Sequence, residues 1–205
     1  MELLEVYRCP EFIYPVVFAA KFKGVKNAGA IRQRIVKAAT MEEGPERDKE
    51  RDAVNFAFIN AKLVCLITSP LHLQTAAVQA LFASSTETMR TKTLHSEIIW
   101  NLNPTNNISE AIKRYGVSDD MTDLIVMHIV SWEREDILQR MRNVVDGELD
   151  LLANVSQVTD WDTVIKHYKL DQEPAYKDFT GSTAKEREII DNIVISSVAM
   201  KSIIN

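Results

Sequence analysis

Residues 123–130 read "DLIVMHIV", and the reading of this stretch decides the fold. An apolar run this continuous, without the alternation of a half-exposed strand, predicts a strand central to its sheet. Working outward, "IYPVVFAAKF" (13–22) is apolar and β-branched enough for a second strand, and "FAFI" (56–59) and "LVCLI" (63–67) are short extended runs. "LHSEIIWNL" (94–102) alternates, with Leu94, Ile98 and Trp100 on one side, and predicts a further half-buried strand. "NAGAIRQRIVKAAT" (27–40) spaces Ile31, Ile35 and Ala38 as a helix does. Ser69 and Pro70 supply an N-cap and a first-turn proline for a helix to about Ser84. Helices follow near 134–145 and 160–168, and Thr183 with Glu186 forms a capping box for a long one near 183–204. "EEGPERDKERD" reads as a hydrated surface loop near 42–53, and "STETMRTKT" as a linker. Strands and helices interleave without a regular βαβ beat or an internal repeat, so the expected fold is α+β. It consists of a mostly antiparallel β-sheet flanked by several α-helices, a single domain over residues 1–205.

Composition bounds the function class. The 205 residues are 46% hydrophobic and 26% charged with only six Gly and six Pro, which describes a globular chain rather than a disordered one. No apolar run approaches the roughly 18 residues of a spanning helix. The N-terminal "MELLEVYRCPEF" lacks the basic start and long apolar core of a signal peptide, so no membrane association is expected. Cys9 and Cys65 are far apart with no CxxC pattern, which predicts reduced, buried thiols and a nuclear and cytoplasmic protein. The net charge of −5 conceals a segregation: Lys21 to Lys37 holds six basic residues and no acidic one. Such a one-sign block is either solvated or the footprint of a phosphate or acidic partner.

Motifs for chemistry are absent from the sequence. It contains no GxGxxG, no GxxxxGK[ST], no GxSxG, no HExxH and no His/Cys pair at ligand spacing. No catalytic residue, metal site or cofactor is therefore assigned, and no enzyme is expected. His128 within its apolar strand reads as a satisfied core histidine. Trp132 and Trp161 read as packing anchors. "NPTNNISEAIKRYG" (103–116) carries a short helix capped by Asn107, with Glu110 as capping-box partner and Gly116 as a left-handed stop. Its polar approach could receive a phosphate or carboxylate at the helix N-terminus. The final helix is apolar around more than half its circumference, which predicts docking on another protein through Ile190, Ile193, Val194, Ser197 and Val198.

Four stretches carry a resemblance: "KFKGVKNAGAIRQRIVKAA" (21–39), "FAFINAKLV" (56–64), "MRTKTLHSEIIWNLNPTNNISEAIKRYGVSDD" (89–120) and "AMKSII" (199–204). In order and spacing they resemble the TPRKB family, the kinase-binding subunit of the EKC/KEOPS complex. The resemblance implies an α+β fold and a non-enzymatic subunit that binds a small atypical protein kinase. Through the kinase it would meet the threonylcarbamoyl-transferase and dimerisation subunits. That complex places a threonylcarbamoyl group on the adenosine next to the anticodon of tRNA, and archaeal-type members hold the single-stranded CCA end. Carried over by position, the RNA-facing residues are Arg90, Lys92, Asn106, Asn107 and Ser109. If the strand near Leu94 pairs beside the one ending near Phe22, Lys21, Lys23 and Lys26 join them in one patch. The family pattern would have a basic or Gly-containing approach to Met89, where this chain has "SSTE" (84–87). The alternative is a purely structural protein–protein interaction module without nucleic-acid contact.

Overall fold

The computed structural model describes residues 3–12, 16–61, 66–131, 135–177 and 179–204. Among these, β1 (Leu4–Arg8), β2 (Val16–Lys23), β3 (Ala57–Asn60), β4 (Asp123–Val130) and β5 (Glu148–Asp150) form one antiparallel sheet. The order is β1-β2-β4-β3, so β4 is internal, as its unbroken apolar sequence requires. β2 and β4 pair along their full lengths, from Val16 opposite Val130 to Lys23 opposite Asp123. On its other edge β2 meets β1 over Val16 to Ala20 and β5 over Lys21 to Lys23.

Successive strand side chains point to opposite faces, so this doubly buried pair feeds two cores. Val16, Phe18, Ala20, Phe22, Leu124 and Val126 lie in one, against α1 (Ala28–Thr40) and, after α2 (Pro45–Ala53), Val54. Val17, Ala19, Ile125, Met127 and Ile129 lie in the other, against α3 (Pro70–Ser85), α4 (Leu94–Asn101) and α5 (Ile108–Tyr115). α6 (Ile137–Val144) completes the first layer with Ile137 and Met141. α7 (Val155–Val158), α8 (Trp161–Tyr168), α9 (Pro174–Lys177) and α10 (Thr183–Ile204) complete the second. Each large side chain buried this way contributes roughly 1.5 to 3 kcal/mol, so the sheet is stable only with both helical layers in place. The expected α+β class and antiparallel sheet are present.

Three local expectations are corrected. The run expected as a strand over 94–102 forms helix α4 over Leu94–Asn101 with Leu102 as its C-cap: Thr93 caps its start, accepting from Ser96 N–H at 3.1 Å while Ser96 Oγ accepts from Thr93 N–H at 3.2 Å. His95, Glu97, Ile98, Trp100 and Asn101 are all buried, and a helix covered on most sides shows no helical stripe to distinguish it from alternation. Residues 45–53 form helix α2 rather than a loop. Pro45 opens it, Glu46 and Asp48 lie in its first turn and Arg51 in its last, which suits the helix dipole without any buried residue. Bonds from Arg34 to Glu50 at 2.6 and 3.1 Å tie it to α1. The capping box at Thr183 and Glu186 is also not made. Glu186 N–H bonds Ser182 O at 3.0 Å, and its carboxylate accepts from the Tyr176 hydroxyl at 3.0 Å. Leu66 and Ile67 are buried outside any strand, and the rest of the run 63–67, with Cys65, Trp132 and residues 13–15, lies outside the described residues.

His72, His95 and His128 are buried, structural histidines. His128 is buried and its Nδ1–H donates to Asn55 O at 2.7 Å, while His95 stacks on it with centroids 5.3 Å apart and accepts from Ile129 N–H at 3.3 Å. Burial, and then the neighbouring His128, pushes His95 down to about 3. Burial alone pushes His72 to about 3. Both are neutral when folded and protonate near 6.5 when unfolded, so stability is full above pH 6.5 and falls as pH drops toward 3. At pH 5 each should cost about 2 kcal/mol relative to pH 7.5. Urea midpoints at the two pH values check this, with His95→Gln expected to remove about half of the difference; equal midpoints would contradict it.

Candidate functional site

Helix α4 organises the turn on either side of it. On its N-terminal side, α3 ends in a reciprocal pair of bonds, Thr88 N–H to Ala83 O at 2.8 Å and Glu87 N–H to Ser84 O at 3.3 Å. This geometry places Glu87 in the left-handed region, at φ 56°, where glycine is favoured. The departure noted in "SSTE" thus falls on the residue whose backbone asks for a glycine. The following "MRTKT" segment is bound to one side chain. The fully buried Glu97 carboxylate accepts from Arg90 N–H at 3.1 Å, Thr91 N–H at 2.8 Å and the Thr91 hydroxyl at 2.6 Å. Thr91 and Thr93 are tied inward by Glu97 and Ser96, and Arg90 and Lys92 between and beside them are exposed.

On the C-terminal side, the turn "NPTNN" is held from beneath. Lys201 of α10, 4% exposed, donates from Nζ to the carbonyls of Trp100 at 2.5 Å, Asn103 at 2.7 Å and Thr105 at 3.1 Å. The ammonium also lies 3.6 Å from the Trp100 ring centroid. Burial lowers its pKa to about 7, while Glu97 pulls it back up. The buried Tyr168 hydroxyl donates to Leu102 O at 2.7 Å, and burial holds its own pKa well above the usual phenol range. Asn103 is buried, and its amide donates to Thr105 Oγ1 at 2.8 Å.

Asn107 caps α5 as expected, accepting from Glu110 N–H at 3.0 Å. Glu110 does not complete a capping box: its carboxylate accepts from the Thr105 hydroxyl and from Arg114, both at 2.9 Å, which lowers its pKa. Gly116 is not left-handed, its φ being −80°. Glycine fits there because a Cβ would lie 2.5 Å from Ile112 O. Asn106, Asn107 and Ser109 are exposed, as are the apolar Ile108 and Ile112 beside them.

The basic block does not join this surface as expected. Because α4 is a helix, there is no strand at Leu94 to pair beside β2. Lys21 is buried and ion-paired with Asp150. Burial raises the Asp150 pKa, but Lys21, Asn154 and Leu151 N–H outweigh it and the net shift is downward. Lys23 lies 3.9 Å from Glu148, Arg32 pairs with Asp119 at 2.8 Å, and Arg34 is held by Glu50. Lys26 is exposed, and its backbone N–H bonds Asp146 O. Most of the block's charge is thus used within the fold.

The docking residues are also redistributed. Ile190, Val194 and Val198 are buried in the chain's own core, so they form no exposed face. Ile193 is half-buried, packed against the same core, and Ser197 is exposed. A partly exposed flank of α10 carries the half-buried Ile189 and Ile193 with the exposed Ser196, Ser197 and Met200, the last 43% exposed. The sequence did not single out Glu97 or Lys201. The signal was a lysine three residues after Val198, in line with the apolar stripe, and an acid four residues after the capping threonine.

The sequence profile of the family described as "Kinase binding protein CGI-121" matches residues 22–202. A Cryptococcus neoformans protein named EKC/KEOPS complex subunit CGI121 is similar at 36% identity over 238 aligned residues, covering 98% of this chain and all of that one. The EKC/KEOPS complex subunit TPRKB of Danio rerio is 32% identical over 149 residues, 73% of this chain and 75% of its own. The namesake subunit of Gibberella zeae is 28% identical over 197 residues, covering 91% and 92%.

Glu97→Ala removes the acceptor of three donors at once, leaving the 90–91 amides unpaired. It should destabilise by about 3 kcal/mol, near the upper range for a lost buried network. Hydrogen exchange should accelerate first at Arg90 and Thr91. Unchanged protection of those two amides would show that Glu97 does not hold the segment.

Proposed function

The chain belongs to the CGI-121 family of kinase binding proteins, and we propose that it is the non-catalytic, kinase-binding subunit of an EKC/KEOPS-type complex. In this role it binds and regulates a small atypical protein kinase and helps recruit tRNA by its single-stranded CCA end. The complex then threonylcarbamoylates the adenosine next to the anticodon, in nucleus and cytoplasm.

The observation that supports the RNA part is the pair of turns flanking α4. Two exposed cations, Arg90 and Lys92, stand on one turn, and Asn106, Asn107 and Ser109 on the other. Single-stranded RNA is recognised where phosphates meet charge while unstacked bases meet polar groups and apolar or aromatic surfaces, and Ile108 supplies the last of these. The kinase is assigned to the exposed flank of α10, around Ser197 and Met200, because the buried side, with Ile193 packed at its edge, is committed to α3 and the core. A protein-interaction module without RNA remains the second reading, favoured by the neutralisation of the basic block.

Charge reversal at Arg90→Glu with Lys92→Glu should weaken binding to intact tRNA and flatten the slope of log affinity against log salt by about 1.4, at about 0.7 per phosphate. Filter binding over a salt series measures both. Equal wild-type affinity for intact tRNA and for tRNA trimmed of its CCA end would remove the RNA role and leave the second reading.

Met200→Glu with Ser197→Glu should lower association with the co-expressed kinase at least about tenfold, at unchanged melting temperature, since a lost apolar contact and a desolvated charge exceed 1.4 kcal/mol. Undiminished co-purification would move the kinase contact off α10.

A further inference from the structure

Lys201 is the feature that neither packing nor kinase docking requires. It ends the buried stripe of α10 that begins with Ile190, Val194 and Val198, where a fourth apolar residue would fill the space without the cost of taking an ammonium out of water. What the lysine adds is directional. An ammonium carries three N–H donors, and three carbonyls accept them: Trp100 in the last turn of α4, Asn103 just beyond it and Thr105 in the turn itself. The first lies at a helix C-terminus, where carbonyls carry partial negative charge and favour a cation. The other two belong to backbone outside any helix or strand. Without Lys201 the carbonyl of the buried Asn103 would lose the ammonium, and that of Thr105 would keep only the Asn103 side-chain amide at 3.1 Å.

We propose that Lys201 is a positioning residue, which fixes the Asn103–Asn107 turn from α10 and so sets the geometry in which Asn106, Asn107 and Ser109 are presented. The inference rests on the reading of that turn as an RNA contact. The distance along the chain is what makes the device specific: residues 98 positions apart are joined by one side chain, so the turn is correct only when α10 is seated. Glu97 holds the other turn through hydrogen bonds that do not include Lys201.

The test compares full-length wild type, Lys201→Met and Val194→Ala, the last being a control that weakens the same helix without touching the turn. Hydrogen exchange is followed at the amides of Asn103, Thr105, Asn106 and Asn107, and at α3 and β4, to which Lys201 makes no bond, as internal references. Lys201→Met should accelerate exchange at the turn at least tenfold more than at the references, whereas Val194→Ala should raise all three alike. If the competent turn falls to a tenth of the population, affinity for intact tRNA should fall about tenfold, with the salt slope unchanged because no phosphate contact is lost. Exchange at the turn that is unaltered, or raised only in step with α3 and β4, would overturn the proposal. So would a loosened turn with wild-type tRNA affinity. A loosened turn in a protein whose wild type binds no tRNA would support the positioning role and overturn the RNA reading. Should Lys201→Met not fold, Lys201→Gln, which keeps two donors, is measured in the same way.

Discussion

The pairing of β2 with β4 is the constraint on which the rest of the structure depends. Both strands are apolar on both faces, so a sheet built on them cannot leave either face to water. Two helical layers are then obligatory. α1 and α6 cover the face that carries Phe18 and Phe22, and α3, α4 and α10 cover the face that carries Ile125 and Met127. The short edge strand β3 and the split edge of β1 and β5 follow from the same demand, since only the central pair needs full-length partners.

Within the second layer, α4 is short, and a short helix has little intrinsic stability. It is held instead by a buried charge at each end. The Glu97 carboxylate gathers the amides of the turn before it, and the Lys201 ammonium gathers the carbonyls of the turn after it. Donors are met by a carboxylate and carbonyls by an ammonium, each buried and each bonded to three backbone or hydroxyl groups in place of water, the condition under which a buried charge organises structure rather than destabilising it. The exposed residues of both turns, Arg90, Lys92, Asn106 and Asn107, owe their placement to these two side chains.

α10 has a divided role. Its inner side is core, which is why Val194 and Ile190 belong to the monomer. One flank keeps a partly exposed apolar stripe ending at Met200, the surface proposed for the kinase. Because Lys201 sits beside that stripe and reaches the turn, the two surfaces share one helix.

The sequence by itself determined the central strands, the amphipathic helices α1 and α8, the caps at Ser69 and Asn107, and the α+β class. These depend on local periodicity or on a cap within three residues, and such signals are complete in the chain itself. Only the tertiary structure decided that residues 94–101 are a helix, because a segment buried on nearly all sides carries no periodicity. It alone decided that Lys21 is spent on Asp150, that Ile190 and Val194 face inward, and that Lys201 grips Asn103. Each of these is a contact between residues about a hundred or more positions apart, or the choice of which apolar face a neighbour covers. Composition and spacing hold no record of either, since both are set when the layers close on the sheet.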